Sequence, residues 1–119
     1  MYTIVCDSAK NYIHIKLVGS IGIDEMVKCV NETIEATKKL RRGYHVITDI
    51  AGFAPTTPEV AKQIERVQAH FVASGVRKGA RVVGGKVLAG LQFNRTSSNV
   101  GYSSVNVATF EDALKELSK

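Results

Sequence analysis

The chain has 119 residues, 45% of them hydrophobic and 23% charged, with a formal net charge of +5. That length suits one domain around one core. No apolar run approaches the roughly 20 residues of a membrane span, so a single α/β domain over residues 1–119 is expected. The opening Met1-Tyr-Thr-Ile-Val-Cys-Asp carries neither the basic leader nor the apolar stretch of a signal peptide. A cytoplasmic protein is the simplest expectation.

Residues 2–7 and 12–18 read as two strands, the second alternating Ile13, Ile15 and Leu17 against His14, Lys16 and Val18, with residues 8–11 as the turn of a hairpin. Asp24 is then placed to cap a first helix carrying Ile23, Val27, Val30, Ile34 and Leu40 on one side, and Gly43 to end it. The β-branched run at residues 45–50 suits a central strand covered on both faces. A turn-rich loop, residues 51–58, leads to Thr57 as the cap and Pro58 as the first residue of a second helix, with Val60, Ile64, Val67 and Phe71 at helical spacing until Gly75.

Residues 80–84 predict another strand, and residues 87–98 a less regular helix with Leu88, Leu91 and Phe93 as its apolar residues. Glycines 84, 85 and 90 loosen that stretch. Residues 105–109 predict a last strand, and Thr109 caps a closing helix that turns Ala113, Leu114 and Leu117 to the core. The order is β-β-α-β-α-β-α-β-α. Strands separated by helices imply a mixed, mostly parallel sheet with right-handed crossovers.

The charge sits in two groups, Lys38, Lys39, Arg41 and Arg42 after the first helix, and Arg77, Lys78, Arg81 and Lys86 around a later turn. Neither interleaves with aromatic residues, so they read as solvated helix ends and argue against nucleic acid. Cys6 and Cys29, far apart and without a CxxC spacing, read as reduced packing residues. His14, His45 and His70 form no ligand-spaced pair, the Gly84-Gly85-Lys86 stretch lacks the rest of a phosphate loop, and no cofactor or metal is expected. No nucleophile, base and acid come together in the pattern, which excludes no enzyme but points to none.

The order of elements, with the segments at residues 46–53, 81–84, 88–93 and 107–114, resembles the SpoIIAA-like superfamily, which includes the STAS domains of anti-sigma factor antagonists and a looser group of small bacterial proteins. The resemblance spans nearly the whole chain. It implies a SpoIIAA-like fold and a non-enzymatic regulatory module that binds a protein partner, with a hydroxyl residue at a helix start as phosphoacceptor. The antagonists carry an Asp-Ser pair there. This chain has residues 54–59, Ala-Pro-Thr-Thr-Pro-Glu, and the phosphoacceptor motif is not retained.

Thr56 and Thr57 occupy roughly that place, and a phosphate there would meet the free N–H groups of a helix start, although capping alone accounts for Thr57. The candidate partner surface is Asp49, Phe53, Thr56, Thr57 and Glu59. Asp49 enters because it lies near the carboxyl end of a central strand, where open parallel sheets bind ligands; otherwise it orients the loop. The alternative within the same superfamily is a small-molecule or lipid carrier, and a symmetric homodimer through a strand edge or helix face is left open.

Overall fold

The computed structural model describes residues 1–85 and 87–119 and, within the third helix, the side chains from residue 90 onward. Strands β1 (Tyr2–Asp7) and β2 (Tyr12–Gly19) form the opening hairpin. They are followed by α1 (Ile23–Thr37), β3 (His45–Phe53), α2 (Pro58–Ala73), β4 (Lys78–Val82), α3 (Val87–Val100), β5 (Ser104–Val107) and α4 (Phe110–Leu117). The five strands lie in one mixed sheet in chain order. β1 pairs antiparallel with β2, and every later neighbour pairs parallel.

The two faces of this sheet are covered very differently. Helices α1, α2 and α3 share one face, where Ile13, Ile15 and Leu17 of β2 and Val46 and Ile50 of β3 meet Met26, Val30, Ile64, Phe71 and Phe93 in the main core. Among the described residues the opposite face has only α4, held by a small cluster of Ile47, Ala80, Val82 and Ala113 with Phe110 and Leu117 beside it. The strands' alternation feeds both clusters, since successive side chains point to opposite faces.

β3 breaks that alternation once. Lys16 pairs with Asp49 and Val18 with Gly52, so Leu17 alone stands opposite two residues, Ile50 and Ala51. This is a β-bulge. The Asp49 carboxylate accepts the Ala51 N–H at 3.0 Å. The extra residue brings both Ile50 and Phe53, three positions apart, into the helix-covered core.

Local signals set most helix ends. Thr57 accepts the Val60 N–H at 3.3 Å ahead of Pro58, and Thr109 accepts the Asp112 N–H at 3.1 Å. At the end of α2, Gly75 takes a φ of +86°. Its N–H reaches Val72 O while Val76 N–H reaches Phe71 O, closing the helix as a Schellman motif.

α1 departs from expectation at both ends. Gly22, without a side-chain cap, precedes it, so Asp24 is a first-turn residue. It also ends at Thr37, ahead of Leu40, and Gly43 lies in the next turn, donating its N–H to Gly75 O at 2.6 Å. Its buried side is Met26, Cys29, Val30, Thr33 and Thr37, turned from the predicted Val27 and Ile34 stripe by the demands of packing on the sheet. In α3, Phe93 is buried but Leu91 is 58% exposed; the expected role of Leu88 falls outside the described side chains, as Lys86 falls outside the described residues.

Candidate functional site

The loop after β3 and the start of α2 form the most built-up part of the surface. Gln92 of α3 clamps the loop from both sides, its Oε1 accepting the Thr56 N–H and its Nε2 donating to Thr56 O, each at 3.1 Å. Ala54 N–H donates to Gly19 O at 3.0 Å and ties the loop to the end of β2. The backbone is therefore held in place without help from the threonine side chains.

Two grooves flank this corner, and Thr56 and Thr57 line both. One, of about 290 Å³, runs between α2 and α3 past Ala61, Lys62, Arg95 and Thr96. The other, of about 250 Å³, runs toward the start of α1 past Ser20, Ile23, Pro55 and Glu59. Thr57 and Glu59 are exposed and Thr56 is half-buried. The Thr57 hydroxyl is already engaged as the α2 cap. The first groove carries Lys62, Arg95 and Glu65 at its walls, while Glu59 puts an acid beside the second.

The other two candidate residues do not join them. Phe53 is fully buried, edge-on to Phe93 at 6.0 Å between ring centroids. It supports the loop from beneath and presents nothing to a partner, because the bulge in β3 turns it inward. Asp49 points to the α4 face and holds the bulge through Ala51 N–H, the loop-orienting role that was its alternative reading. Neither groove includes it.

Sequence reasoning missed a second polar centre, beneath α3 on the helix-covered face of the sheet. Arg81, expected at a solvated helix end, is 1% exposed and is the largest fully buried side chain. It stands on the core side of β4 with its guanidinium 5.1 Å from the Phe93 ring centroid. Nη1 donates to Asn94 Oδ1 at 2.9 Å and Asn106 Oδ1 at 3.3 Å, and Nη2 to Ser97 Oγ at 2.8 Å.

Gln68, 2% exposed on α2, donates from Nε2 to the same Ser97 oxygen at 3.0 Å. Arg81 Nε and Gln68 Oε1 are buried with no partner among the described residues. Burial pushes the guanidinium below its ordinary range and the Tyr102 phenol well above its own. Arg81 nonetheless stays charged.

Elsewhere the titratable side chains show packing roles. Cys29 is buried, and desolvation pushes its thiol up to about 11. His14 packs against Phe110 and His70 shares a hydrogen bond with Thr37, and burial lowers the pKa of both. Among the described residues no group of three or more His, Cys, Asp or Glu could hold a metal ion, and no helix is long and apolar enough to cross a membrane.

Fold and surface together define a small α/β protein whose most elaborated exposed feature is a helix start set between two grooves. No protein-family model matches the chain, and no curated protein matches it. The functional reading rests on the geometry.

Proposed function

We propose that this protein is a non-enzymatic regulatory module that docks a protein partner on the corner formed by Thr56, Thr57, Pro58 and Glu59. The observation that carries this reading is the corner itself: a rigid, clamped loop standing between two grooves, with the helix start exposed. A pre-ordered surface loses little entropy on association, which favours docking. The proposal includes the SpoIIAA-like assignment, which rests on the resemblance in the order of elements and in the segments at residues 46–53, 81–84, 88–93 and 107–114. Phosphorylation at Thr57 is not part of it, because the hydroxyl serves as the α2 cap.

A photo-crosslinking residue at position 59 tests the reading, with one at position 28 on exposed Lys28 as control. The expected result is a defined adduct with one protein from position 59 only, lost when Ala61→Trp fills the neighbouring groove while the circular dichroism spectrum is unchanged. Equal adducts from both positions, or none from position 59, would overturn it.

A further inference from the structure

The two edges of the sheet are built differently. At one, β5 has four residues, and its Asn106 is tied to Arg81 and Asn94. At the other, β1 runs for six residues in unbroken register with β2, with no proline and no charge before Asp7. A long, regular, uncharged edge is a template for another strand.

The hydrogen-bond phase shows which groups of β1 stand open. Met1 and Val18 exchange both backbone bonds, at 2.9 and 3.1 Å, so Met1, Thr3, Val5 and Asp7 address β2. The N–H and C=O groups of Tyr2, Ile4 and Cys6 therefore point off the edge. Beside them, on the face opposite α1, Val5 is 52% exposed.

We propose that β1 pairs antiparallel with β1 of a second copy of this chain, about a two-fold axis through Ile4, so that the two sheets become one. That register gives every open group a partner: Tyr2 pairs with Cys6 of the second copy, Ile4 with its own counterpart, and Cys6 with Tyr2. On the bare face Val5 then lies against Thr3 of the second copy.

The charges of α1 fit the same axis. This helix runs in the direction of β1, with Met1 N at 2.9 Å from Glu25 and Cys6 Sγ at 3.5 Å from Ala36 O, which sets Ile4 level with about residue 32. Because α1 packs on both strands of the hairpin, the spacing of strands puts the two α1 helices about 10 Å apart, a helix-packing distance. They run antiparallel. Glu25, Lys28, Glu32, Glu35 and Lys39 follow one another at heptad spacing along the flank nearest the edge. The axis sets Glu25 opposite Lys39 and Lys28 opposite Glu35, each pair occurring twice. Only Glu32 meets its like, and the Tyr2 hydroxyl already donates to that carboxylate. Opposed charges of this kind fix register and choose the partner. The docking corner takes no part in this interface.

Sedimentation velocity of the full chain over a hundredfold range of concentration tests the proposal, and a reversible monomer–dimer equilibrium is expected. Lys28→Glu and Glu35→Lys, both at exposed positions, each weaken the dimer about tenfold. The double variant exchanges the two signs and restores the affinity, whereas Glu32→Gln raises it. Amide exchange at Tyr2, Ile4 and Cys6 slows as the concentration rises. A photo-crosslinker at position 28 joins two copies of the chain, an adduct told by its mass from any partner captured at position 59. A protein that stays monomeric throughout overturns the proposal, as does a dimer indifferent to both single reversals or not restored by the double.

Discussion

The two faces of the sheet divide the molecule into a heavily built half and a lightly built one. On one side three helices bury aromatic rings, a cysteine and an uncompensated arginine. On the other, an eight-residue helix sits on a small cluster, and Val5 of β1 is left 52% exposed. The same strands supply both faces, so the difference comes from what the connections cover. Consecutive crossovers on one side leave the other to α4.

The sharpest way to break this comparison is to delete equivalent contacts on each side. Phe71→Ala in the helix-covered core is expected to cost about 4 kcal/mol and to lower the denaturant midpoint for the whole domain. Leu117→Ala under α4 is expected to cost about 2 kcal/mol, with the loss confined to faster hydrogen exchange in α4. Equal, global losses from both would show that the lightly covered face is as integral as the other.

Alkaline titration sharpens the contrast, because Cys29, Tyr44 and Tyr102 all belong to the helix-covered core and burial raises the pKa of each. A raised folded pKa means that the folded state keeps its proton after the unfolded chain has lost it, so the contribution is full below the unfolded value and is lost as pH rises. For Cys29 the window runs from the ordinary thiol value of 9.0 to about 11. The expected loss between pH 8 and pH 10.5 is about 2 kcal/mol from this group, measured by urea unfolding at the two values. Cys29→Ala should be less stable than the wild type at pH 8 and show a smaller difference between the two pH values.

The smallest expected effect lies at the docking corner. Thr57→Ala removes the α2 cap and should cost about 1 kcal/mol, with Thr57→Ser restoring most of it. Because Gln92 holds the loop through the Thr56 backbone, the amide resonances of residues 54–56 are expected to stay near their wild-type positions. Wholesale shifts there would mean that the cap, not the clamp, orders the corner.

What could be read beforehand follows the range of the interaction involved. The caps at Thr57 and Thr109 and the helix end at Gly75 were legible because each depends on neighbours within a few residues. The alternation in β2 was legible because its buried residues are all apolar. The buried side of α1 was not, since Thr33 and Thr37 take core positions that hydrophobicity alone gives to Ile34 and Leu40. Arg81 was misjudged and Gln68 passed over for the same reason: residue type suggests solvent, while their burial depends on Asn94, Ser97 and Asn106 arriving from elsewhere in the chain. Phe53 was placed in the right loop but on the wrong side of it, because nothing local announces the extra residue in β3.

That extra residue is slack taken up between the sheet and the corner above it. Deleting Ala51 would restore strict alternation, with Ile50, Gly52 and Phe53 opposite Leu17, Val18 and Gly19 and Phe53 still on the helix-covered face beside Phe93. The loop would leave the sheet in the same step as before, and Gln92 would still meet the Thr56 backbone. A single-residue deletion at this half-buried alanine is thus predicted to be tolerated by a surface several residues away, whereas deleting Gly52 as well would carry Phe53 to the opposite face and disable the corner.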